Sequence, residues 1–211
     1  MAALNLPRHP GLFSTTRLRL VVSNESSATI LDWLILLTAG VLAACASTFL
    51  DLNIKQVPGH AILKVVFPMA MGLALVPRRG AGCTMATTAF LTGVSLNLAG
   101  FKGEGIGVGA LASLTATGPL LDWTLRRSAG GWRQYVAFGL AGLSSNLIAF
   151  AVRGGAKALG WEAPGRRPLG EWLMQASYTY VLCGLAAGLI SGVILFYGRR
   201  RGEAPSEETS P

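Results

Sequence analysis

Apolar residues run through this chain in six long stretches separated by short polar or basic breaks. The stretches fall at about Thr29–Leu50, Ala61–Val76, Gly80–Ala99, Gly105–Leu125, Tyr135–Val152 and Trp172–Tyr197. A helix needs roughly 20 mostly apolar residues to cross the hydrocarbon of a bilayer. The pattern therefore predicts an all-α, polytopic membrane protein, a bundle of about six transmembrane helices over residues 29–198. The first stretch is interrupted only by Asp32 near its start, whereas the second is short and contains Lys64 and Pro68. That second helix is expected to be tilted, kinked or partly buried by its neighbours. Residues 1–28 lack an apolar core ahead of a small-residue cleavage site, so they read as a cytoplasmic N-terminal arm and not as a cleaved leader. Residues 199–211 are polar and acidic beyond Arg201 and read as a disordered cytoplasmic tail.

Composition sharpens the class. Hydrophobic residues make up 51% of the 211 positions and charged residues 13%, about half the charge of an ordinary soluble domain. The formal net charge of +8 would raise the question of nucleic acid in a soluble protein. Here the basic residues form short clusters between apolar runs, with no long basic segment interleaved with aromatics, so nucleic-acid binding is not expected. Topology accounts for them instead. With the N-terminus inside, eleven Lys and Arg residues fall on the cytoplasmic side, including Arg78, Arg79, Arg126, Arg127 and Arg199 to Arg201, against seven outside. That bias predicts a multi-pass protein of the cell membrane with both termini in the cytoplasm. Trp33, Trp123 and Trp132 then fall at the inner boundary, and Trp161 and Trp172 at or beyond the outer one, as expected of an aromatic belt.

Small residues recur at helical spacing where close packing would need them. Gly184, Gly188 and Gly192 stand four apart on the sixth stretch, and Gly105, Gly109 and Ser113 on the fourth. The first stretch has two seams, Ala39 with Ala43 and Ser47, and Gly40 with Ala44 and Thr48. Spacing alone favours internal packing for these seams, and leaves a face for another subunit as the second possibility.

Candidate chemistry lies toward the outer ends of the helices. His60 and Lys64 are four apart on one face of the second helix, Asn97 closes the third, and Asn146 and Arg153 share a face of the fifth. Gln175 and Tyr178 follow helical spacing on the sixth. A charge at the centre of a spanning helix costs about 2.5–3.5 kcal/mol on insertion scales, so Lys64 must face protein, water or a ligand, or snorkel to the interface. Arg153 reads as an interfacial anchor, and Asp122 is expected to pair with Arg126 one turn later. Two histidines, His9 and His60, and no His/Cys/carboxylate cluster argue against a metal site. Cys45, Cys83 and Cys183 lie inside apolar stretches without CxxC spacing and read as packing residues. No GxSxG, HExxH or P-loop is present, so neither an enzyme nor a cofactor is expected, and the chain cannot drive ATP-dependent work alone.

Taken over Thr29–Tyr197, the small-residue first helix with the AxxxA motif Ala39-Gly40-Val41-Leu42-Ala43, the cytoplasmic ends and the polar outer face resemble the S component of an energy-coupling-factor (ECF) vitamin transporter. The stretch from Gly107 to Asp122 is similar to the fourth helix of such subunits. The opening Met-Ala-Ala-Leu lacks the metal-binding Met-His of the nickel and cobalt members. The resemblance implies a substrate-capturing membrane subunit for a small organic nutrient, with a T subunit and ATPase subunits as partners. It implies a gating loop at Asp51 to His60 and a docking face at Ala39, Ala43 and Ser47. His60, Lys64, Asn97, Asn146, Gln175 and Tyr178 become the candidate substrate contacts, their amide and phenol groups suiting a polar heterocycle and Lys64 an anionic group. Two alternatives stand beside it: a non-catalytic assembly or scaffold protein, and a membrane enzyme using Asp122 or His60.

Overall fold

The structure is a computed structural model, and it describes residues 29–50, 61–101, 107–128, 132–161 and 168–196. These residues are all-helical, forming α1 Ile30–Phe49, α2 Ile62–Leu75, α3 Ala81–Leu98, α4 Val108–Arg126, α5 Trp132–Ala158 and α6 Leu169–Phe196. The expected boundaries hold to within three residues except in α5, which extends past Val152 to Ala158. The proposed arm, gating loop and tail lie outside the described residues.

Local chemistry explains where several helices begin. Thr29 and Asp32 form a reciprocal capping box, each side chain accepting from the other's backbone N–H, which starts α1. Gly80 adopts a left-handed φ of 79° at the N-cap of α3, a conformation that lets the chain reverse sharply after α2. Threonine hydroxyls then satisfy themselves on their own helices. Thr84, Thr87 and Thr88 donate to the carbonyls four residues back on α3, and Thr115, Thr117 and Thr124 do so on α4.

The helices alternate in direction. An Asp32–Arg78 ion pair at 3.6 Å and a Tyr135 hydroxyl donating to the Phe196 carbonyl bring the starts of α1, α3 and α5 and the ends of α2, α4 and α6 to one end of the bundle. That end carries Arg78, Arg79, Arg126 and Arg127 and is called the arginine end below. At the opposite end, Phe49 meets Phe101 edge-on, and Lys157 and Arg153 lie over the Trp172 ring at 5.2 and 5.9 Å. The packing order around the bundle is α1, α2, α6, α5, α4, α3 and back to α1, and α2 touches all five other helices. It is the central element: nine of its 14 residues are buried, against six of 20 in α1.

Close approach at small residues sets the crossings. A Cβ on Gly118 of α4 would stand 1.9 Å from the Gly82 carbonyl oxygen of α3, and one on Gly188 of α6 would stand 2.1 Å from the Phe138 carbonyl oxygen of α5. Gly142 and Gly184 make the next contact along the same α5–α6 seam. These distances leave no room for any side chain, so the backbones touch.

Three helices, α1, α5 and α6, are long and apolar enough to cross a membrane, which marks the chain as a membrane protein. At 14 residues α2 spans about 21 Å at the helical rise, short of a hydrocarbon core of about 30 Å. The outer surface fits a lipid surround: Leu34, Leu37, Val41 and Leu42 make one exposed strip of α1, and Leu182, Leu189 and Ile190 are exposed on α6.

Gly118→Ala is expected to destabilise the protein by about 1–3 kcal/mol through overpacking, whereas Gly155→Ala, where an added Cβ meets nothing within 4 Å, should be neutral or slightly stabilising. Denaturant titration of the purified protein, followed by helical circular dichroism, compares the two directly.

Candidate functional site

Among the described residues, four polar features inside the bundle are tied to main chain or to another hydroxyl, whereas the Gln134 Oε1 and the Ser191 hydroxyl are buried without a hydrogen-bond partner. Asp122, 4% exposed on α4, accepts from the backbone N–H groups of Gly82 and Cys83 at 3.1 and 2.9 Å. It therefore caps the first turn of α3 from a neighbouring helix, where the helix dipole favours a negative charge. The sequence expectation that Asp122 pairs with Arg126 is corrected: among the described residues the carboxylate makes no ion pair with Arg126. Two unpaired N–H groups at the buried start of α3 are the stronger attraction in low dielectric, and the glycine contact between Gly82 and Gly118 brings them within reach.

A hydroxyl cluster joins α4 to α5. Thr117 and Ser145 Oγ atoms are 2.7 Å apart, Ser145 also donates to the Ser113 carbonyl at 3.2 Å, and all three side chains are buried. This cluster continues the seam expected at Gly109 and Ser113, with Gly109 against the Ala149 carbonyl. Its members satisfy one another and stitch two helices together.

The candidate substrate contacts separate into two environments. Asn146 on α5 is 2% exposed and its amide donates to the Tyr180 carbonyl on α6 at 2.7 Å. Lys64, in the first turn of α2, is 5% exposed and its Nζ donates to the carbonyl of Leu50 at the end of α1. Asn97, Gln175 and Tyr178 are exposed, Tyr178 at 70%. His60 lies outside the described residues. The structure thus encloses Lys64 and Asn146 and leaves the other three at the surface, so the five do not line one enclosed pocket. On α6 the reason is rotational: Ala176 and Tyr180 face inward, and Gln175 and Tyr178 turn away from them.

The docking face expected at Ala39, Ala43 and Ser47 is likewise corrected. These residues are 3%, 0% and 2% exposed. Ala39 lies against Gly72 of α2, where a glycine Cβ would be 2.9 Å from the Ala39 Cβ, and the second seam meets α3, with Gly40 against the Met85 carbonyl. Both seams are consumed inside the bundle because α1 is wedged between α2 and α3.

Two features of the backbone around Lys64 gain weight from its burial. The N-cap residue of its helix is Ala61, which makes no side-chain cap, so the start of α2 is left without the device that begins α1. Pro68, four residues on, has no N–H to give the Lys64 carbonyl. Both properties are legible as Ala61 and Pro68, but only burial gives them weight. Arg153 lies over the Trp172 ring near one end of the bundle.

Comparison of the chain with family models, curated proteins and solved structures finds no match.

Asp122→Ala is expected to cost about 1–3 kcal/mol of stability by leaving the Gly82 and Cys83 N–H groups unpaired, and Asp122→Asn less, because its amide oxygen still accepts. Ala43→Leu should destabilise the purified chain itself, since that position has no free surface. Thermal melts in detergent check both.

Proposed function

We propose that this chain is the substrate-capturing membrane subunit, the S component, of an ATP-driven ECF-type importer for a small organic nutrient such as a vitamin or its precursor. The observation that carries this reading is the buried amine of Lys64 at the start of the central helix. Among the described residues no carboxylate pairs with it, and its one hydrogen-bond partner is a main-chain carbonyl. Burying a cation is expensive unless an opposite charge compensates it. The N-terminus of α2, to which Ala61 gives no side-chain cap, adds a second source of positive potential at the same place, pointing the same way. An anionic group of a ligand arriving from that end would answer both.

The rest of the reading follows from what the chain lacks and how it is built. It has no P-loop, so energy for uptake would come from partner ATPases through a T subunit. In this reading all six helices belong to the membrane domain, the arginine end faces the cytoplasm with both termini, and α2 packs against the other five. The polar composition of α3 and α4 is compatible with that placement, because Thr84, Thr88 and Thr117 among others donate to carbonyls of their own helices.

The test is affinity purification of the tagged full chain from its native membrane, followed by native mass spectrometry. The expected result is a co-purifying anionic small molecule together with a T subunit and ATPases. Lys64→Met should weaken retention of the small molecule by roughly 10- to 100-fold, the equivalent of one charged hydrogen bond, and Lys64→Arg should keep part of it. Absence of both the small molecule and the ATPases would overturn the proposal.

A further inference from the structure

The connection from α4 to α5 gathers positive charge at the arginine end of the bundle. Arg126 is the last residue of α4, Arg127 is its C-cap, and Arg133 lies in the first turn of α5. All three side chains are exposed. The two helices are packed side by side through the Thr117 and Ser145 hydroxyls, so the three guanidinium groups belong to one end of one helix pair.

No described carboxylate at this end neutralises them. Asp32 faces Arg78 at 3.6 Å, and Asp122 accepts from the N–H groups of Gly82 and Cys83. Among the described residues, neither pairs with Arg126, Arg127 or Arg133. The C-terminus of α4 offers its two arginines only about half an elementary negative charge. Arg133 stands at the start of α5, where the helix dipole is itself positive and the first turn holds no acidic residue. An anion at this place is attracted by all three side chains at once.

Two tryptophans narrow the kind of anion. The Arg127 Cζ lies over the Trp123 ring, 4.2 Å from its centroid. That contact uses the face of the guanidinium and leaves the N–H groups of its edge as donors. Trp132, beside Arg133, is 70% exposed. On α5, Trp132, Val136 and Leu140 recur every four residues and all are exposed, so an apolar strip leads from the arginines along the side of the bundle. An acidic protein or a soluble phosphate would meet the arginines but gain nothing from the strip. In a membrane protein that strip is bathed in lipid tails, and exposed tryptophans beside basic residues mark the level of the headgroups.

We propose that the α4–α5 end binds an anionic phospholipid, its phosphate at Arg126, Arg127 and Arg133 and an acyl chain along Trp132, Val136 and Leu140. Arginine suits this role because its planar fork can hold phosphate oxygens in pairs. The site is independent of what Lys64 binds in the opposite half of the bundle.

The experiment uses the full chain in detergent, offered phosphatidylglycerol, phosphatidylcholine with identical acyl chains, or soluble glycerol phosphate, and reads the bound molecule by native mass spectrometry. Phosphatidylglycerol should be retained at least about ten-fold more than phosphatidylcholine, the scale expected of several basic residues acting on one anionic headgroup. Glycerol phosphate, which lacks the acyl chains, should not be retained. Combining Arg126→Gln, Arg127→Gln and Arg133→Gln should bring the two lipids to near parity, whereas Arg153→Gln at the opposite end should leave the preference intact. Circular dichroism checks the fold, and if the triple variant does not fold, Arg127→Gln with Arg133→Gln should still lower the preference at least about three-fold. Equal retention of the two lipids by the unaltered protein would overturn the proposal, and is the result expected if Glu203, Glu207 and Glu208, which lie outside the described residues, claim the same arginines. A preference unchanged in the folded arginine variants would overturn it too, as would glycerol phosphate held as well as the lipid.

Discussion

In a lipid surround an apolar side chain gains little by moving from lipid tails to another helix, so helices are held by close packing and by the polar contacts that closeness allows. In this chain the closeness is concentrated at backbone-on-backbone crossings: Gly82 with Gly118 between α3 and α4, and Gly142, Gly184 and Gly188 between α5 and α6. The polar contacts depend on them. Asp122 reaches the N–H groups of Gly82 and Cys83 because the crossing four residues earlier, at Gly118, has no side chain to hold the helices apart. Asn146 reaches the Tyr180 carbonyl beside the contact that Gly184 makes with Asn146 itself. Dispersion and hydrogen bonding are thus consequences of the same few missing side chains.

The central position of α2 follows from this arrangement. With α3 drawn onto α4 and α6 onto α5, the ring is completed through α1 and α2, and α2 is left touching every other helix. A helix so enclosed need not be as long as the bilayer is thick, because it does not have to satisfy lipid on its own. Its composition agrees. Val65, Val66, Met69, Ala70, Leu73 and Ala74 are all fully or almost fully buried and cover about half of the helix circumference at 100° per residue, while Phe67, Met71 and Leu75 on the other side are less buried.

Helix content, helix order and most boundaries could be read from the apolar runs, because length and hydropathy are local properties. The glycine seam of α6 could be read too, since Gly184, Gly188 and Gly192 share one face and one face packs. Partner choice could not. Asp122 has Arg126 one turn away in sequence, and only the approach of α3 decides in favour of two backbone N–H groups. The alanines of α1 carry the right spacing for a docking surface and for internal packing alike, and the choice between them rests on where α2 and α3 sit. The polar residues of α6 fail for a simpler reason. Helical spacing groups Gln175 with Tyr178, but it does not say whether the face they share is turned in or out, and Ala176 and Tyr180 took the inner one.

What remains is an asymmetry between the two ends of the bundle. At the arginine end, both described carboxylates have partners within the protein: Asp32 faces Arg78, and Asp122 answers the dipole of α3. Within the opposite half, Lys64 lies in a helix start that has no side-chain cap, and a lone carbonyl is its partner among the described residues. Both Lys64 and the N-terminus of α2 are positive, so neither can relieve the other. A bundle whose stability alone mattered could place leucine or methionine at that position at less cost, since removing a buried charge for a well-packed apolar side chain is commonly neutral or stabilising. Under the proposed function the retained amine is a place for an anion, and it is located on the one helix that every other helix touches.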